Sequence, residues 1–483
     1  SRSIAFPQQP EDFREMIKPS KQSSRIRRVA LWFGMAAPAV LLTTFSKPAS
    51  AVPSYARQTG YACAKCHTTP PELTQEGRDF KLNGYTLKLV PTVTTEKTKK
   101  STPLDILASL PLSAWFETSF TSTNAPQPGA QNGNFEFPQD ISLWLAGAWS
   151  AHVGSFLQVT YDTKGDHFSM DNTDIRYANH TFLFGKDLHY GITLNNNPTL
   201  EDLWSSTPAW GFPFVSTDVA PTPLAAAVIN GPLAQDVAGI GAYGLWSNHW
   251  YLAATVYRSE HVGSPQPLTG AGSTYNIRGV APYWRAAWQH PSKNNYLEVG
   301  TYGIHMESTP NGITGLRDGY TDTAADFQYD RSLPSIAPGT VCETPPCTDT
   351  FSLRGTYIHE DSTLNASFGA GAASGLEHHL DTVQANAAYH FGNRVSFTAG
   401  WFSIAGTPDP LLYAEAPVTG SANGDPRSNG YILNLSWWPV MNIDLAAQYT
   451  GYLRFNGAAT NYDAAGRNAS ANNSIYLLAR FMF

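Results

Sequence analysis

From about Leu112 onward, apolar residues fall on every second position in runs cut by turn residues, and this period of two limits the fold more than any other feature. Such alternation marks strands with one apolar and one polar face. Tyr431, Leu433, Leu435 and Trp437 share one face, a turn at Pro439 to Met441 follows, and Ile443, Leu445, Ala447 and Tyr449 return on the same face. Val383, Ala385, Ala387, Tyr389 and Phe391 repeat the design, with Gly392-Asn393 as the turn and Val395, Phe397, Ala399 and Trp401 as the returning strand.

Composition says which side of these strands meets solvent. Asp, Glu, Lys and Arg make up only 14% of the 483 residues, against a usual quarter or so. Trp, Tyr and Phe reach 12%, yet mean hydropathy is slightly negative. Membrane helices need runs of about 20 apolar residues, whereas a barrel in lipid needs only a greasy outer face and a polar inner one. In lipid every backbone group must be paired and the sheet must close. Ile475, Leu477, Ala479, Phe481 and the terminal Phe483 share one face, like the closing strand of an outer-membrane barrel. The expectation is an all-β fold, a transmembrane antiparallel β-barrel of about sixteen strands over 112–483, in the outer membrane. The register over 307–375 stays open: Asp322 to Tyr329 reads as a strand or as part of a loop, and Phe351 to Ala373 as one long strand or a hairpin. Thr121 to Gln139, Pro198 to Gln235 and Asn456 to Asn473 read as long loops rich in neutral amides, either a surface that keeps its character in acid or generic solvated loops. A soluble β-sandwich is disfavoured by the aromatic outer faces. The net charge of −7 gives no sign of nucleic acid as a partner.

Ahead of the strands stands a different kind of segment. Arg25 to Arg28 form a basic patch, Val29 to Phe45 an apolar stretch and Ala49-Ser50-Ala51 a small-x-small site, which predicts an export signal cleaved after Ala51. Shortly after comes Cys63-Ala64-Lys65-Cys66-His67, the pattern of covalent haem c attachment. Two thiols three positions apart can reach the two vinyl groups of one haem edge, and His67 is then the proximal iron ligand. Thioredoxin-like chemistry or a zinc site would need a βαβ context or further nearby ligands, and neither is present. The haem segment, 52–88, is too short to bury a haem by itself, since chains below about 40 residues seldom fold alone. It holds no methionine and no second histidine. The mature chain's methionines are Met170, Met306, Met441 and Met482, so a methionine ligand would have to come from the strands. Met306, in phase with Glu298 and Tyr302, and Met482, in phase with Arg480 and Tyr476, are the candidates. Residues 89–111 read as a linker, and Cys342 with Cys347, which no histidine follows, as a local disulfide.

The run from Pro53 to Ala62, the motif Cys63 to His67, then Pro71-Glu72-Leu73-Thr74 and Gly77 to Tyr85 resemble the monohaem cytochromes c fused to a porin in acidophilic iron-oxidising bacteria. That resemblance implies one haem c on Cys63 and Cys66 with His67 as proximal ligand, and a haem segment plugging the barrel. It also implies electron flow from Fe(II) outside the cell to a periplasmic cytochrome c or cupredoxin, which would make the chain an iron oxidoreductase. In acid the iron couple is high, so the haem needs a high potential, through methionine or weak distal ligation and burial. Two rival expectations are a porin for small solutes gated by haem, and a conduit delivering electrons to an external acceptor.

Overall fold

The computed structural model describes residues 52–68, 72–88, 92–94, 105–107, 110–129, 131–163, 166–207, 217, 219–260, 275–310, 315–335, 348–392, 394–440 and 442–483. The expected leader and cleavage site, Met441, and the Cys342–Cys347 pair lie outside them. Helix α1 (Pro53–Thr59), the single turn α2 (Cys63–Cys66) and α3 (Gln75–Leu82) form the N-terminal segment. Where a linker was expected, Thr92–Thr94 pairs antiparallel with Asp105–Leu107 in a small two-stranded ladder.

The strands that follow are β1 (Leu112–Thr123), β2 (Asn134–Ala148), β3 (Val153–Asp162), β4 (His167–Leu183), β5 (Lys186–Asn195) and β6 (Val237–Trp246). Next come β7 (Trp250–Ser259), β8 (Ala281–Pro291), β9 (Asn295–Ser308), β10 (Asp318–Pro334) and β11 (Thr348–Leu364). The last are β12 (Glu377–Phe391), β13 (Val395–Gly406), β14 (Ser428–Val440), β15 (Ile443–Arg454) and β16 (Ser474–Met482). Each pairs antiparallel with its neighbours in sequence, and β16 pairs with β1 from Ser474↔Thr123 to Met482↔Trp115, closing a barrel of sixteen strands among the described residues.

The open register resolves simply. Asp318–Pro334 is one strand, and Thr348–Leu364 is one strand followed by a short helix, Asn365–Gly369, not a hairpin. The first long loop is shorter than expected, since β1 runs to Thr123 and β2 begins at Asn134. Its polar residues continue the ladder because cross-strand pairing, not hydrophobicity, holds the strand ends.

Alternation sorts the two faces. Along β6, Val237, Gly239, Gly241 and Tyr243 are buried toward the lumen while Ala238, Ile240 and Ala242 point outward. Ile240 at 57% and Leu252 at 66% exposure belong to an outward apolar band that also includes Leu194, Val299, Leu433 and Leu477. A closed antiparallel barrel with such a band is a membrane-spanning barrel of the outer-membrane, porin-like type. Short turns gather at one end: Phe184-Gly185, both with positive φ, make the two-residue type I′ connection of β4 to β5. Long connections, 196–236, 407–427 and 455–473 among them, gather at the other. In barrels of this type the short turns face the periplasm.

The N-terminal segment lies within the cylinder, since its residues bond to wall residues on many sides. Ser54 meets Ser113 of β1, the Gln58 side-chain Oε1 accepts from Ala148 N–H at the end of β2, and Tyr55 donates to Ser155 O of β3. Tyr85 donates to Asp174 of β4, Asn83 meets His189 of β5, and Tyr243 of β6 donates to Leu82 O. Arg78 lies over the Tyr296 ring of β9 at 3.9 Å and faces Asp330 of β10, while Glu72 reaches Arg354 of β11 and Asn386 of β12. These positions sit toward the strand ends joined by short turns, so the plug occupies the periplasmic half of the lumen. The described parts of connection 196–236, residues 196–207 and 219–236, fold inward above it. Glu201 accepts from Thr255 and Tyr257, Ser206 donates to Asp326, and Ile229 N–H donates to Asp322, which ties this segment to several walls.

Close approach of plug to wall depends on Gly154, whose added Cβ would stand 2.3 Å from Gly84 O. Gly154→Leu is expected to expel the plug while leaving the barrel closed. Limited proteolysis should then cleave 52–88 in a protein whose gel mobility still shifts on heating, whereas the native chain resists.

Candidate functional site

Helix α3 sets the site because its packing fixes the Cys-x-x-Cys-His turn. Thr74 caps it, its hydroxyl accepting from Gly77 N–H at 3.2 Å and donating to Lys65 O at 2.6 Å. Gly77 lies against the turn, where a Cβ would fall 2.2 Å from Cys66 O, so only glycine lets the two backbones meet. Thr74 N–H donates to Cys66 O and His67 N–H to Cys63 O, and Lys65 pairs with Glu76 at the surface. Gln58, fully buried, donates to Tyr85 O and Leu87 O and so holds α1 against the end of the segment.

A cavity partly open to solvent lies between this turn and the barrel wall, with about 1120 Å³ of empty space when that open part is counted. Cys66 and His67 line it from the plug together with Tyr55, Phe80 and Tyr85. Trp115, Trp144 and Phe156 line it from β1, β2 and β3, Trp438 from β14, and Arg480 and Met482 from β16. Thr199, Leu200 and Ser205 of the inward-folded connection complete it. The aromatic walls interlock: Trp115 and Trp144 rings lie 4.9 Å apart, Trp144 meets Phe156 edge-on at 4.8 Å, and Tyr55 stacks on Tyr85 at 5.5 Å. Neither the plug nor the barrel could build this enclosure alone.

Electrostatics follow from burial. The His67 imidazole is pushed down to about 4, by burial first and then by Arg354, against a hydrogen bond with the Glu72 backbone that raises it. It is therefore neutral near pH 7, and its Nδ1 is buried without a hydrogen-bond partner. Burial likewise lifts the Cys66 thiol to about 11, with Glu76 adding to the rise and Lys65 opposing it. Lys81 is lowered to about 7 by burial and by the Arg176 charge, and donates to Leu200 O and Asp202 O, joining plug to connection 196–236. Burial raises the Glu72 carboxyl, while Arg354 at 3.1 Å, Asn386 and Thr68 pull it back.

Among the residues singled out by sequence, Cys66, His67 and Met482 border the same cavity, and Cys63 is buried in the same turn. Met306 lies elsewhere. Its lumen parity holds, but it packs fully buried against Val228, Ile229 and Leu233 of connection 196–236 and Ile304 of its own strand. Met170 is exposed on β4. The aromatic wall and the Glu72–Arg354 anchor went unremarked in the sequence. The available signal was parity, because Trp115, Trp144 and Phe156 occupy lumen-facing positions that a water-filled pore would leave polar.

No protein-family model matches the chain, and no curated relative does. Several solved outer-membrane barrels are similar in outline. The channel DcaP of Acinetobacter baumannii is 11% identical, with 81% of this chain and 100% of that one covered and a TM-score of 0.45. Salmonella typhi OmpF, in complex with daunomycin, is 10% identical over 80% and 100%, with a TM-score of 0.43. OmpT of Vibrio cholerae is 9% identical over 80% and 100%, with a TM-score of 0.41. Strand count and closure here rest on the chain's own ladders.

Arg354→Ala is expected to loosen the plug by about 3–5 kcal/mol, the cost of stranding one partner of a buried ion pair. Protease susceptibility of 52–88 in increasing urea reads this out, and Glu72→Gln added to Arg354→Ala should recover part of the loss.

Proposed function

We propose that this chain is an outer-membrane electron-transfer protein that holds one haem c in its plug, takes electrons from Fe(II) outside the cell and passes them to a periplasmic cytochrome c or cupredoxin. The observation that carries the reading is the composite cavity: a Cys-x-x-Cys-His turn on one side, an aromatic barrel wall on the other. The donor set fits the group. Two cysteines sit three positions apart on one helical turn, and beside them a neutral imidazole has a buried nitrogen without a partner. When bound, haem supplies a one-electron couple whose potential depends on axial ligation and burial.

The remaining work falls to the chain's own residues. Cys63 and Cys66 would hold the group covalently and His67 would supply the proximal nitrogen. Phe80, Trp115, Trp144 and Phe156 give the cavity an apolar lining, and apolar surroundings favour the less charged state of a redox centre. Arg480, paired with Glu117 and with Asp444 at 3.3 Å, keeps its charge compensated at the cavity edge. The plug and residues 196–207 and 219–236 of the connection both bond into the lumen wall, an arrangement that suits electron passage better than solute passage. The cavity lies in the half of the lumen nearer the short turns, a position suited to delivery toward a periplasmic carrier. Ferric product is then formed outside, where its precipitation does no harm.

The test is anaerobic mixing of purified protein with ferrous sulfate at acid pH. Haem reduction is expected in the native protein, and no covalent haem in Cys63→Ala/Cys66→Ala. Absence of reduction across a range of pH would remove the iron assignment. In planar bilayers the native chain is expected to conduct little whether oxidised or reduced. Open conductance that changes with haem oxidation would favour the gated-porin reading instead.

A further inference from the structure

We infer that Met482, the penultimate residue of the chain and part of the strand that closes the barrel, is the distal ligand of the plug's haem. The inference rests on the haem reading above and adds to it where the second axial ligand comes from and when it becomes available.

Met482 is 1% exposed, faces the lumen and lines the cavity that Cys66 and His67 line from the plug. Its cross-strand partner on β1 is Trp115, another cavity residue. The backbone there is pinned: Met482 N–H donates to Asn442 O at 2.9 Å, and Met482 O accepts from Asn442 Nδ2 at 3.0 Å. A thioether on an anchored strand end can therefore meet the cavity without rearrangement of the barrel.

Elimination among the other donors at the cavity points the same way. Lys81 is committed to two carbonyls of connection 196–236, the Tyr85 hydroxyl donates to Asp174 at 2.6 Å, and the Tyr55 hydroxyl donates to Ser155 O at 2.7 Å. Arg480 is paired twice and is no ligand for iron. Met306, the other lumen-facing candidate, is packed in a separate apolar cluster with residues of connection 196–236. Tyr61 remains as the competing donor. A thioether is the donor that raises a haem potential, whereas an anionic phenolate would stabilise the oxidised iron and lower it.

A consequence for assembly follows. Cys63, Cys66 and His67 lie on the plug, but Met482 lies on β16, which reaches its place only by pairing with both β15 and β1. The plug carries its own three ligand residues before the barrel exists, whereas Met482 would come within reach of the group only once the seam is closed. Coordination thus reports closure.

The experiment uses the full chain in detergent, with covalent haem verified by staining after denaturation. Oxidised native protein is expected to show the weak sulfur-to-iron band at the red end of its spectrum. Met482→Leu, a near-isosteric change that barrels tolerate, should lose that band, bind carbon monoxide when reduced and show a lower midpoint potential, with heat-dependent gel mobility unchanged. Met482→His should give a six-coordinate spectrum without the sulfur band, and Met306→Leu should leave the band intact. During refolding from urea into detergent, the band should rise with the heat-modifiable form and not before it. If haem is attached but the band is absent from the native protein, survives in Met482→Leu, or is replaced by a phenolate signature abolished by Tyr61→Phe, the Met482 assignment is overturned while the haem reading stands. If no covalent haem is found, the haem reading itself fails.

Discussion

Everything in this molecule depends on the need to pair every backbone amide inside lipid. An open sheet of these strands would leave two rows of N–H and C=O groups in hydrocarbon, at several kcal/mol for each group. Closure of β16 on β1 removes both edges at once. A cylinder of about sixteen strands is, however, wide enough to leave an aqueous channel. The chain places its own N-terminal segment and the described parts of connection 196–236 in that space, and so a membrane constraint on the backbone becomes an interior in which a short segment can be held.

That interior is where the short plug obtains the core it cannot build for itself. Three small helices would bury too little apolar surface to persist in water. Inside the barrel, Phe80 and Tyr85 join Trp115, Trp144, Phe156, Leu200 and Met482 in one cluster to which plug, wall and connection all contribute. Polar anchors give the arrangement its uniqueness. Arg176 and Tyr85 converge on Asp174, Arg354 holds Glu72, and Arg285 draws together Asp202, Glu298 and Asp326. Buried ion pairs add little net stability, but breaking one is costly, which favours a single seating of the plug over many sliding ones.

The same geometry separates tasks along the barrel axis. Long amide-rich loops face outward and the plug lies toward the short turns, with connection 196–236 between them. Lys81 spans the last two, since its ammonium group is buried against carbonyls of that connection. The two polypeptide segments that enter the lumen are thus bonded to each other as well as to the wall.

Much of this could be read from residue order. Strand period, the apolar face of Ile475 to Phe483 and the spacing Cys63-x-x-Cys66-His67 are local patterns, set by the pleat of a strand and the pitch of a helical turn, and they identify strand type, face and candidate ligands without a fold. Parity even put Met306 and Met482 on the lumen side. It could not separate them, because parity gives a side chain's direction and not its depth or its neighbours. Met306 proved to pack against connection 196–236 and Met482 to border the cavity, a difference decided by barrel stagger and by where the plug is seated. The anchor from Glu72 to Arg354 spans almost three hundred residues and the aromatic wall is drawn from several strands, so neither leaves a local trace. Sequence determined the strands, their faces and the haem-type motif, because these depend on near neighbours along the chain. Only the tertiary structure decided what the motif faces, because that depends on closing a ring whose two ends lie at opposite ends of the strand series.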